Sequence, residues 1–304
     1  MADAMADHLG LALGQAKILK FTNENIKVKI QENVREADVF VVQTSAPPVN
    51  EGLMELLILI HALKYASARR ITAVIPYYFY ARSDKKDEPR ISITAALVAD
   101  LLQAAGADRV LTLDLHSPQV QGFFRIPADQ LTAVPVLCDH IKARDDLGDA
   151  VLVAADVGEA KDAGRAAKRL QLPLAIIDKR RTDDDEKAVA VEIIGDIRGK
   201  RAILVDDEIA TGGTILQATG ILLDRGAREV EVMAVHPVFS GRAVELLAAS
   251  PLTRLTVTDS IPISPEKRAL GGFGKKLTVL PVALLLADAI ERIHDGRSVS
   301  QLFR

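Results

Sequence analysis

The chain reads Ala202-Ile-Leu-Val-Asp206-Asp-Glu-Ile-Ala-Thr-Gly-Gly-Thr214, an apolar run that ends in two carboxylates and continues through a Thr-Gly-Gly-Thr turn. The two glycines let the backbone approach a ligand closely, so that consecutive N–H groups at a helix start can surround an anion. The threonine hydroxyls add donors, and the aspartates accept hydrogen bonds from sugar hydroxyls or bind a metal bridged to them. The stretch therefore predicts a strand, a turn and a helix that hold a ribose phosphate; the alternative is an ordinary turn beside a solvated acidic pair.

Composition limits the classes of protein to which this chain can belong. Its 304 residues are 49% hydrophobic, which favours two domains of ordinary size. With 38 basic and 41 acidic residues, the net charge of −3 gives no general basic field for nucleic acid. The sequence has neither an apolar run of roughly 18 residues nor a basic N-terminal signal, and its single cysteine, Cys138, fits a reducing compartment. We therefore expect a cytoplasmic protein that binds neither nucleic acid nor membrane.

Short β-branched runs recur along the chain, with intervals of helical length between them. This alternation is typical of an α/β protein whose mainly parallel sheets are flanked by helices. The runs are residues 39–43, 71–75, 110–115, 151–155, 174–177, 202–205, 230–235 and 255–257.

Helical periodicity fills several of these intervals. Residues 94–105 carry one apolar stripe, with Thr94 expected as the N-cap and Gly106 expected to end the helix. Residues 51–65 and 215–225 show the same pattern. A final helix is expected over residues 282–293, and the sequence leaves open which domain it packs on.

The chain reads as two versions of one α/β design. Residues 111–116 and 203–207 are both predicted strands that end in polar ligating residues before a glycine-containing loop. The boundary is placed after Cys138, where a proline-containing segment gives way to a charged stretch. The predicted domains are residues 1–138 and residues 139–304, the second of which contains the ribose phosphate turn.

A second polar segment, residues 77–90, follows the strand predicted at 71–75. It combines most of the tyrosines of the chain with Arg82, Asp84 and other charged residues. Aromatic faces beside arginine suit a nucleobase with its phosphates, and open α/β sheets bind ligands at the carboxyl ends of their strands. The alternative is a solvated charged loop whose tyrosines cover a sheet edge.

Further polar residues follow other predicted strands. His116 and Asp156 each follow one, so both are candidates to ligate a hard cation, with a packed or hydrogen-bonded role as the alternative. Lys179-Arg-Arg181 follows the strand at 174–177 and precedes a polar segment. We interpret this segment as a mobile positive loop, either simply solvated or used in phosphoryl transfer, which depends on positioning and charge neutralisation.

Several long strings match one known family, in order, along nearly the whole chain. They are Asn50-Glu-Gly-Leu-Met-Glu-Leu-Leu57, Tyr80-Ala-Arg-Ser-Asp-Lys-Lys-Asp87, Thr112-Leu-Asp-Leu-His-Ser-Pro-Gln-Val-Gln-Gly-Phe-Phe124, Asp178-Lys-Arg-Arg181, the 206–214 turn and Ser298-Val-Ser-Gln-Leu-Phe303. On these strings the chain resembles the ribose-phosphate pyrophosphokinases, also called phosphoribosyl pyrophosphate synthetases. The resemblance implies two phosphoribosyltransferase-like domains.

The resemblance also implies a reaction and its requirements. Enzymes of this family transfer the β,γ-diphosphate of ATP to the C1 hydroxyl of ribose 5-phosphate, which gives phosphoribosyl pyrophosphate and AMP for nucleotide biosynthesis. The implied cofactor is Mg²⁺. The implied assembly is a homo-oligomer built from dimers, a hexamer.

The functional residues of the family carry over to matching positions of this chain. Phe21 and Asn23 would reach ATP from a neighbouring subunit, and the cations after residue 178 would close over the transferring group. The implied roles are catalysis for Lys179 and Arg181, ribose 5-phosphate binding for Asp206, Asp207, Thr211, Gly212, Gly213 and Thr214, ATP binding for Phe21, Asn23, Arg82, Asp84 and His116, and metal contact for His116 and Asp156.

Several positions depart from the family pattern, which predicts a divergent member. Ala210 replaces an aspartate in the ribose phosphate turn, Ser83 replaces a glutamine, and Asn25 replaces a glutamate. Glu159 places a negative side chain near the expected phosphates. Two alternatives follow: a catalytically weak or silent regulatory homologue that assembles with an active synthetase, and a phosphoribosyltransferase that consumes phosphoribosyl pyrophosphate.

Overall fold

The computed structural model describes residues 1–144, 146–181 and 189–303. Within these ranges, apolar and β-branched runs form 13 strands. They are β1 (Ala16–Lys20), β2 (Ile26–Ile30), β3 (Asp38–Val42), β4 (Arg70–Ile75), β5 (Arg109–Leu113), β6 (Ala128–Leu131), β7 (Ala150–Ala154), β8 (Leu174–Arg181), β9 (Val189–Ile194), β10 (Arg201–Glu208), β11 (Glu229–His236), β12 (Arg254–Thr258) and β13 (Leu277–Leu280).

Helices lie between most of these strands. In the described part of the chain the α-helices are α1 (Ala2–Leu9), α2 (Val49–Tyr65), α3 (Thr94–Ala105), α4 (Val134–Lys142), α5 (Ala160–Leu170), α6 (Gly213–Asp224), α7 (Ala243–Ala249), α8 (Pro265–Ala269) and α9 (Ala283–His294). Shorter 3-10 helices span Pro118–Phe123, Leu270–Lys275 and Val299–Phe303. Among the helices described, none combines the length and the apolar character that a membrane span requires.

The described chain divides into two compact units. The first contains Met1–Ala133 together with Pro281–Arg304, and the second contains Val134–Leu280. We predicted a division after residue 138, whereas the units divide at residue 133. The reason is that residues 134–142 form one continuous helix, α4, which packs on α5 of the second unit.

The first unit is built on a parallel sheet with the strand order β3-β4-β5-β6, beside the antiparallel pair β1-β2. Helices α2 and α3 cover the sheet because their apolar stripes face it: Leu56, Ile60 and Leu102 are buried in one core with Ile71 and Val110 of the strands. Since the strands are parallel, β4 and β5 end at the same edge. The loops that follow these two strands therefore begin at that edge.

The final helix, α9, belongs to the first unit. His8 of α1 lies 3.0 Å from Asp288, and Arg70 donates a hydrogen bond to the carbonyl of Ile293 at 3.1 Å. His294 contacts the buried carboxylate of Asp38 at 2.9 Å. Burial opposes ionisation of Asp38, but hydrogen bonds from Arg70 and His294 prevail and lower its pKa.

The second unit has a larger sheet with the order β13-β12-β11-β10-β7-β8-β9. All neighbouring strands are parallel except β8 and β9, which are antiparallel. Strands β7 and β10 lie side by side near the middle, and their apolar residues are buried, as expected for a sheet covered on both faces. Residues that follow β7 and β10 therefore emerge close together.

Every predicted strand coincides with an observed one, and Gly106 ends α3 with φ 113°, as expected. The prediction for Thr94 was wrong. Ile93 is the residue that precedes the helix, and Thr94 already lies inside its first turn, where the side chain is no longer in the N-cap position.

Candidate active site

The first candidate region is the corner that follows β10. Asp206 and Asp207 still have strand geometry, and Asp206 pairs with Ala234 of β11. The backbone N–H of Asp207 donates to the carboxylate of Asp206 at 2.9 Å, and the N–H of Glu208 donates to that of Asp207 at 2.8 Å. These local bonds hold both carboxylates at the carboxyl end of the sheet.

The Thr-Gly-Gly-Thr turn connects this corner to α6. Gly212 has φ 79° and is the residue that precedes the helix, which explains the need for glycine at this position. The N–H of Ile209 donates to the carbonyl of His236, and the N–H of Ser240 donates to that of Ala210, both at 2.9 Å. The loop is thus fixed to the β11 side, and the N–H groups of the first turn of α6 are positioned as an anion site.

A third carboxylate joins the two aspartates. Carboxylate oxygens of Glu159, Asp206 and Asp207 lie within 4.8 Å of one another. Burial, the charge of Glu159 and the adjacent Asp207 raise the pKa of Asp206 well above its ordinary value. A convergent set of carboxylate oxygens suits a hard divalent cation such as Mg²⁺.

The grouping of Glu159 with the aspartates was not predicted. In the sequence, Glu159 stands out only as a departure from the family pattern. The missing information was the strand order: Ala154 of β7 pairs with Val205 of β10, so the segment after β7 emerges beside Asp206.

Asp156 lies in the same connection between β7 and α5. Its side chain is exposed, and its carboxylate accepts a hydrogen bond from the backbone N–H of Glu159 at 3.1 Å. Asp156 therefore shapes the turn that carries Glu159. Its predicted metal contact stays a prediction.

The segment of Lys179 and Arg181 differs from the loop that we expected. Residues 179–181 continue strand β8 and pair with β9 in an antiparallel register, Lys179 opposite Val191 and Arg181 opposite Val189. The interpretation of residues 179–181 as a loop was wrong because backbone pairing with β9, invisible in a charged sequence, overrides composition. The side chains of both cations, and residues 182–188, lie outside the described part of the structure.

In the first unit, the corner after β5 carries His116. The side chain of His116 is exposed. Two residues earlier, Asp114 has φ 28°, and its carboxylate accepts hydrogen bonds from the Thr132 hydroxyl and the Ala133 N–H, both at 2.6 Å. The corner is therefore held by a local network that sequence analysis missed.

Phe21 and Asn23 lie in the turn between β1 and β2. Phe21 is 50% exposed, and its N–H donates to the carbonyl of Asn25 at 2.9 Å. The side chain of Asn23 accepts a hydrogen bond from the N–H of Asn25 at 3.3 Å. The turn thus presents a large apolar side chain to its surroundings.

Arg82 and Asp84 lie in the loop after β4, with Arg82 exposed and Asp84 half-buried. The tyrosines nearby do not form a free aromatic surface as a group. Tyr78 is buried and its hydroxyl donates to the Ala95 carbonyl at 3.1 Å, while Tyr80 donates to Asn50. The idea that the tyrosines together hold a nucleobase is therefore wrong for Tyr78, which is a core residue.

Known proteins resemble this chain over its full length. Residues 1–106 match the N-terminal domain of ribose phosphate pyrophosphokinase, and residues 185–304 match the phosphoribosyl synthetase-associated domain. The ribose-phosphate pyrophosphokinase of Deinococcus radiodurans is 50% identical over 304 residues, covering 100% of this chain and 94% of that protein. The enzyme of that name from Caldanaerobacter subterraneus subsp. tengcongensis is 50% identical over 303 residues, with coverages of 100% and 94%.

A solved structure gives the same result. The crystal structure of phosphoribosylpyrophosphate synthetase from Mycobacterium smegmatis superposes with a TM-score of 0.89 at 42% identity, covering 97% of this chain and 95% of that chain. The parallel sheets, their flanking helices and the turn after β10 define an α/β protein with phosphoribosyltransferase-like domains. The full-length identities then fix the assignment more narrowly. This chain belongs to the ribose-phosphate pyrophosphokinase family.

The predicted fold class and family are thereby confirmed, as is the enzyme class, a ribose-phosphate diphosphokinase of nucleotide biosynthesis. The expectation of a divergent member is not supported, because about half of the residues are identical to those of relatives along the whole chain.

Proposed function

We propose that this chain transfers the β,γ-diphosphate of ATP to the C1 hydroxyl of ribose 5-phosphate, releasing phosphoribosyl pyrophosphate and AMP. The observation that carries the proposal is the corner after β10, where two aspartates precede a glycine-led helix start. We assign the 5-phosphate to the amides and hydroxyls of residues 211–214. Asp206 and Asp207 accept hydrogen bonds from the ribose hydroxyls.

The chemistry requires positioning and charge neutralisation more than proton abstraction. The C1 oxygen attacks the β-phosphorus, the bond between that phosphorus and the oxygen of AMP breaks, and the proton of the C1 hydroxyl passes to water. Because the transition state is loose, a strong general base is not required. We propose that Lys179 and Arg181 neutralise the developing charge on the transferring group. This assignment rests on the family resemblance of these two positions.

We propose Mg²⁺ as the cofactor. The donor set of Glu159, Asp206 and Asp207 fits a hard cation, and His116 and Asp156 stay the predicted contacts to the metal–nucleotide. When bound, Mg²⁺ supplies charge neutralisation at the phosphate oxygens. Arg82, Asp84 and the hairpin residues Phe21 and Asn23 are the proposed ATP contacts.

A homo-oligomer, dimer-based and hexameric, is proposed as the working assembly. It is supported by the hairpin turn, where Phe21 is half exposed and Asn23 is held by its own turn. An exposed aromatic residue suits a contact with a second copy of the chain. We also propose a cytoplasmic location, in keeping with a cysteine that is buried as a thiol.

The proposal is tested by measuring AMP release from the purified chain. AMP should form only when ATP, Mg²⁺ and ribose 5-phosphate are all present. The assay is run both with and without added inorganic phosphate. Lys179→Ala should lower kcat by more than about tenfold, because one charge-assisted contact is lost. Lys168→Ala, at an exposed position on α5, is the matched control and should leave kcat unchanged.

The same assay separates the enzyme from a silent regulatory homologue. Ala210 and Glu159 are the differences that favour the silent alternative. If the purified chain shows no AMP release but raises the activity of an active synthetase on mixing, the catalytic proposal fails. An unchanged rate for Lys179→Ala would instead remove only the cation pair from the mechanism.

A further inference from the structure

The backbone at the end of β5 adopts an unusual conformation. Asp114 has φ 28°, in the region that side chains of L-residues rarely adopt, and its N–H still donates to the carbonyl of Leu131 in β6 at 2.9 Å. The chain therefore leaves the sheet abruptly at this residue. A strained conformation of this kind persists only when surrounding contacts hold it in place.

The side chain of Asp114 supplies those contacts. One carboxylate oxygen accepts from the Thr132 hydroxyl and the other accepts from the Ala133 N–H, both at 2.6 Å. Both donors follow β6 directly, so the carboxylate joins the end of one strand to the exit of its neighbour. Hydrogen bonds to an ionised carboxylate are among the stronger hydrogen bonds in proteins.

The neighbours of His116 hold the remainder of the corner. Leu115 is buried between the strained aspartate and the exposed histidine. On the other side, the 3-10 helix begins at Pro118, and the N–H of its buried residue Val120 donates to the carbonyl of Ser117 at 3.1 Å. His116 is thus carried by a short segment that is fixed at both ends.

We infer that Asp114 is a positioning residue of the diphosphokinase: it orients His116 toward the metal–nucleotide through the bracket with Thr132 and Ala133. The inference rests on the proposed role of His116 in nucleotide binding. Asp114 acts through the backbone corner, with both carboxylate oxygens directed at the chain after β6. Thr132 is not among the predicted site residues, but it belongs to the same hydrogen-bonded bracket.

The test removes one hydrogen-bond donor, the Thr132 hydroxyl, and leaves Asp114 itself unchanged. Thr132→Val should raise the KM for ATP about tenfold while leaving the KM for ribose 5-phosphate unchanged, because the second unit is not altered. Thr132→Ser keeps the hydroxyl and should behave like the wild type. Thr94→Val, the same substitution at the start of α3, is the control and should leave both constants unchanged. Asp114→Asn should reproduce the effect of Thr132→Val where it folds.

His116→Ala distinguishes failure of the inference from failure of the proposed function. If His116→Ala leaves the KM for ATP unchanged, the proposed role of His116 fails and the inference fails with it. If His116→Ala raises that KM but Thr132→Val does not, the inference alone is overturned.

Two further outcomes decide whether the bracket works through His116. Adding Thr132→Val to His116→Ala should cause no further loss, because a residue that acts through His116 has nothing left to position. An additive loss in the double variant, or an equal rise in both KM values for Thr132→Val, would overturn the positioning role.

Discussion

Aspartates lie at the carboxyl ends of both β5 and β10, but their carboxylates are used in opposite ways. At the β5 corner, Asp114 leaves strand geometry, and both of its carboxylate oxygens accept hydrogen bonds from the chain after β6. At the β10 corner, Asp206 and Asp207 keep strand geometry and converge on Glu159. The partners around an aspartate, more than its place at a strand end, determine whether it shapes the backbone or faces a ligand.

The two arrangements have opposite electrostatic consequences. The carboxylate of Asp114 is matched by two hydrogen-bond donors, the Thr132 hydroxyl and the Ala133 N–H. The carboxylates at the β10 corner repel one another, and together with burial this raises the pKa of Asp206. The second corner is therefore held at a cost to stability that a cation or a sugar donor relieves on binding.

The largest expected effect follows from neutralising that second corner. Asp206→Asn should lower kcat/KM for ribose 5-phosphate by about 100-fold, because the amide nitrogen replaces an oxygen that can accept a hydrogen bond from a sugar hydroxyl. The same change should raise the free energy of unfolding at neutral pH by about 1 kcal/mol. Activity assays and thermal unfolding on the same preparations measure both effects.

The pH dependence of stability is an independent test of the direction in which the pKa of Asp206 is shifted. Because the pKa of Asp206 is raised on folding, the folded protein holds a proton that the unfolded chain releases above its ordinary pKa near 4. This group therefore lowers stability as pH rises between those two pKa values, and Asp206→Asn should remove that slope. A variant that is less stable than the wild type at pH 7 would contradict the contrast between the corners.

An intermediate effect is expected at the turn. Gly212→Ala imposes a side chain on φ 79° and should destabilise the protein by about 1 kcal/mol while raising the KM for ribose 5-phosphate severalfold. Gly220→Ala within the same helix, α6, meets nothing within 4 Å of the added carbon and should stabilise by about 0.5 to 1 kcal/mol. Equal effects of the two variants on unfolding would show that backbone conformation at the turn is not the cause.

The smallest effect is expected at Glu159. Glu159→Gln removes one of the causes that raise the pKa of Asp206, so the acid limb of the kcat/KM profile for ribose 5-phosphate should move to lower pH by less than about one unit. Asp162→Asn, exposed on α5 and paired with Arg165, is the matched control. A shift to higher pH in Glu159→Gln, or the same shift in the control, would refute the assignment.

The sequence was most informative where burial is deepest. The strands at the centre of each sheet are runs of apolar residues with strong β preference, and the helix that ends at Gly106 has a clear apolar stripe. The turn after β10 was also legible, because glycine at a helix start has few other uses. These features depend on short segments of the chain.

The features that the sequence did not reveal depend on long-range pairing. β1 is exposed along its length, so burial leaves no apolar pattern there to detect, and β8 continues through three cations because β9 pairs with it. The cluster at Glu159 requires the order of β7 and β10. The conformation of Asp114 could not be predicted either, because an aspartate in a sequence does not indicate a positive φ.

The division of the chain into two units sets the order in which the units can fold during synthesis. The first unit needs α9, whose residues Asp288 and His294 contact α1 and β3, yet the entire second unit lies between them in sequence. On the ribosome, the second unit can finish folding from a continuous stretch before the last helix emerges. The first unit must wait, with the carboxylate of Asp38 unmatched by His294, until α9 has been translated.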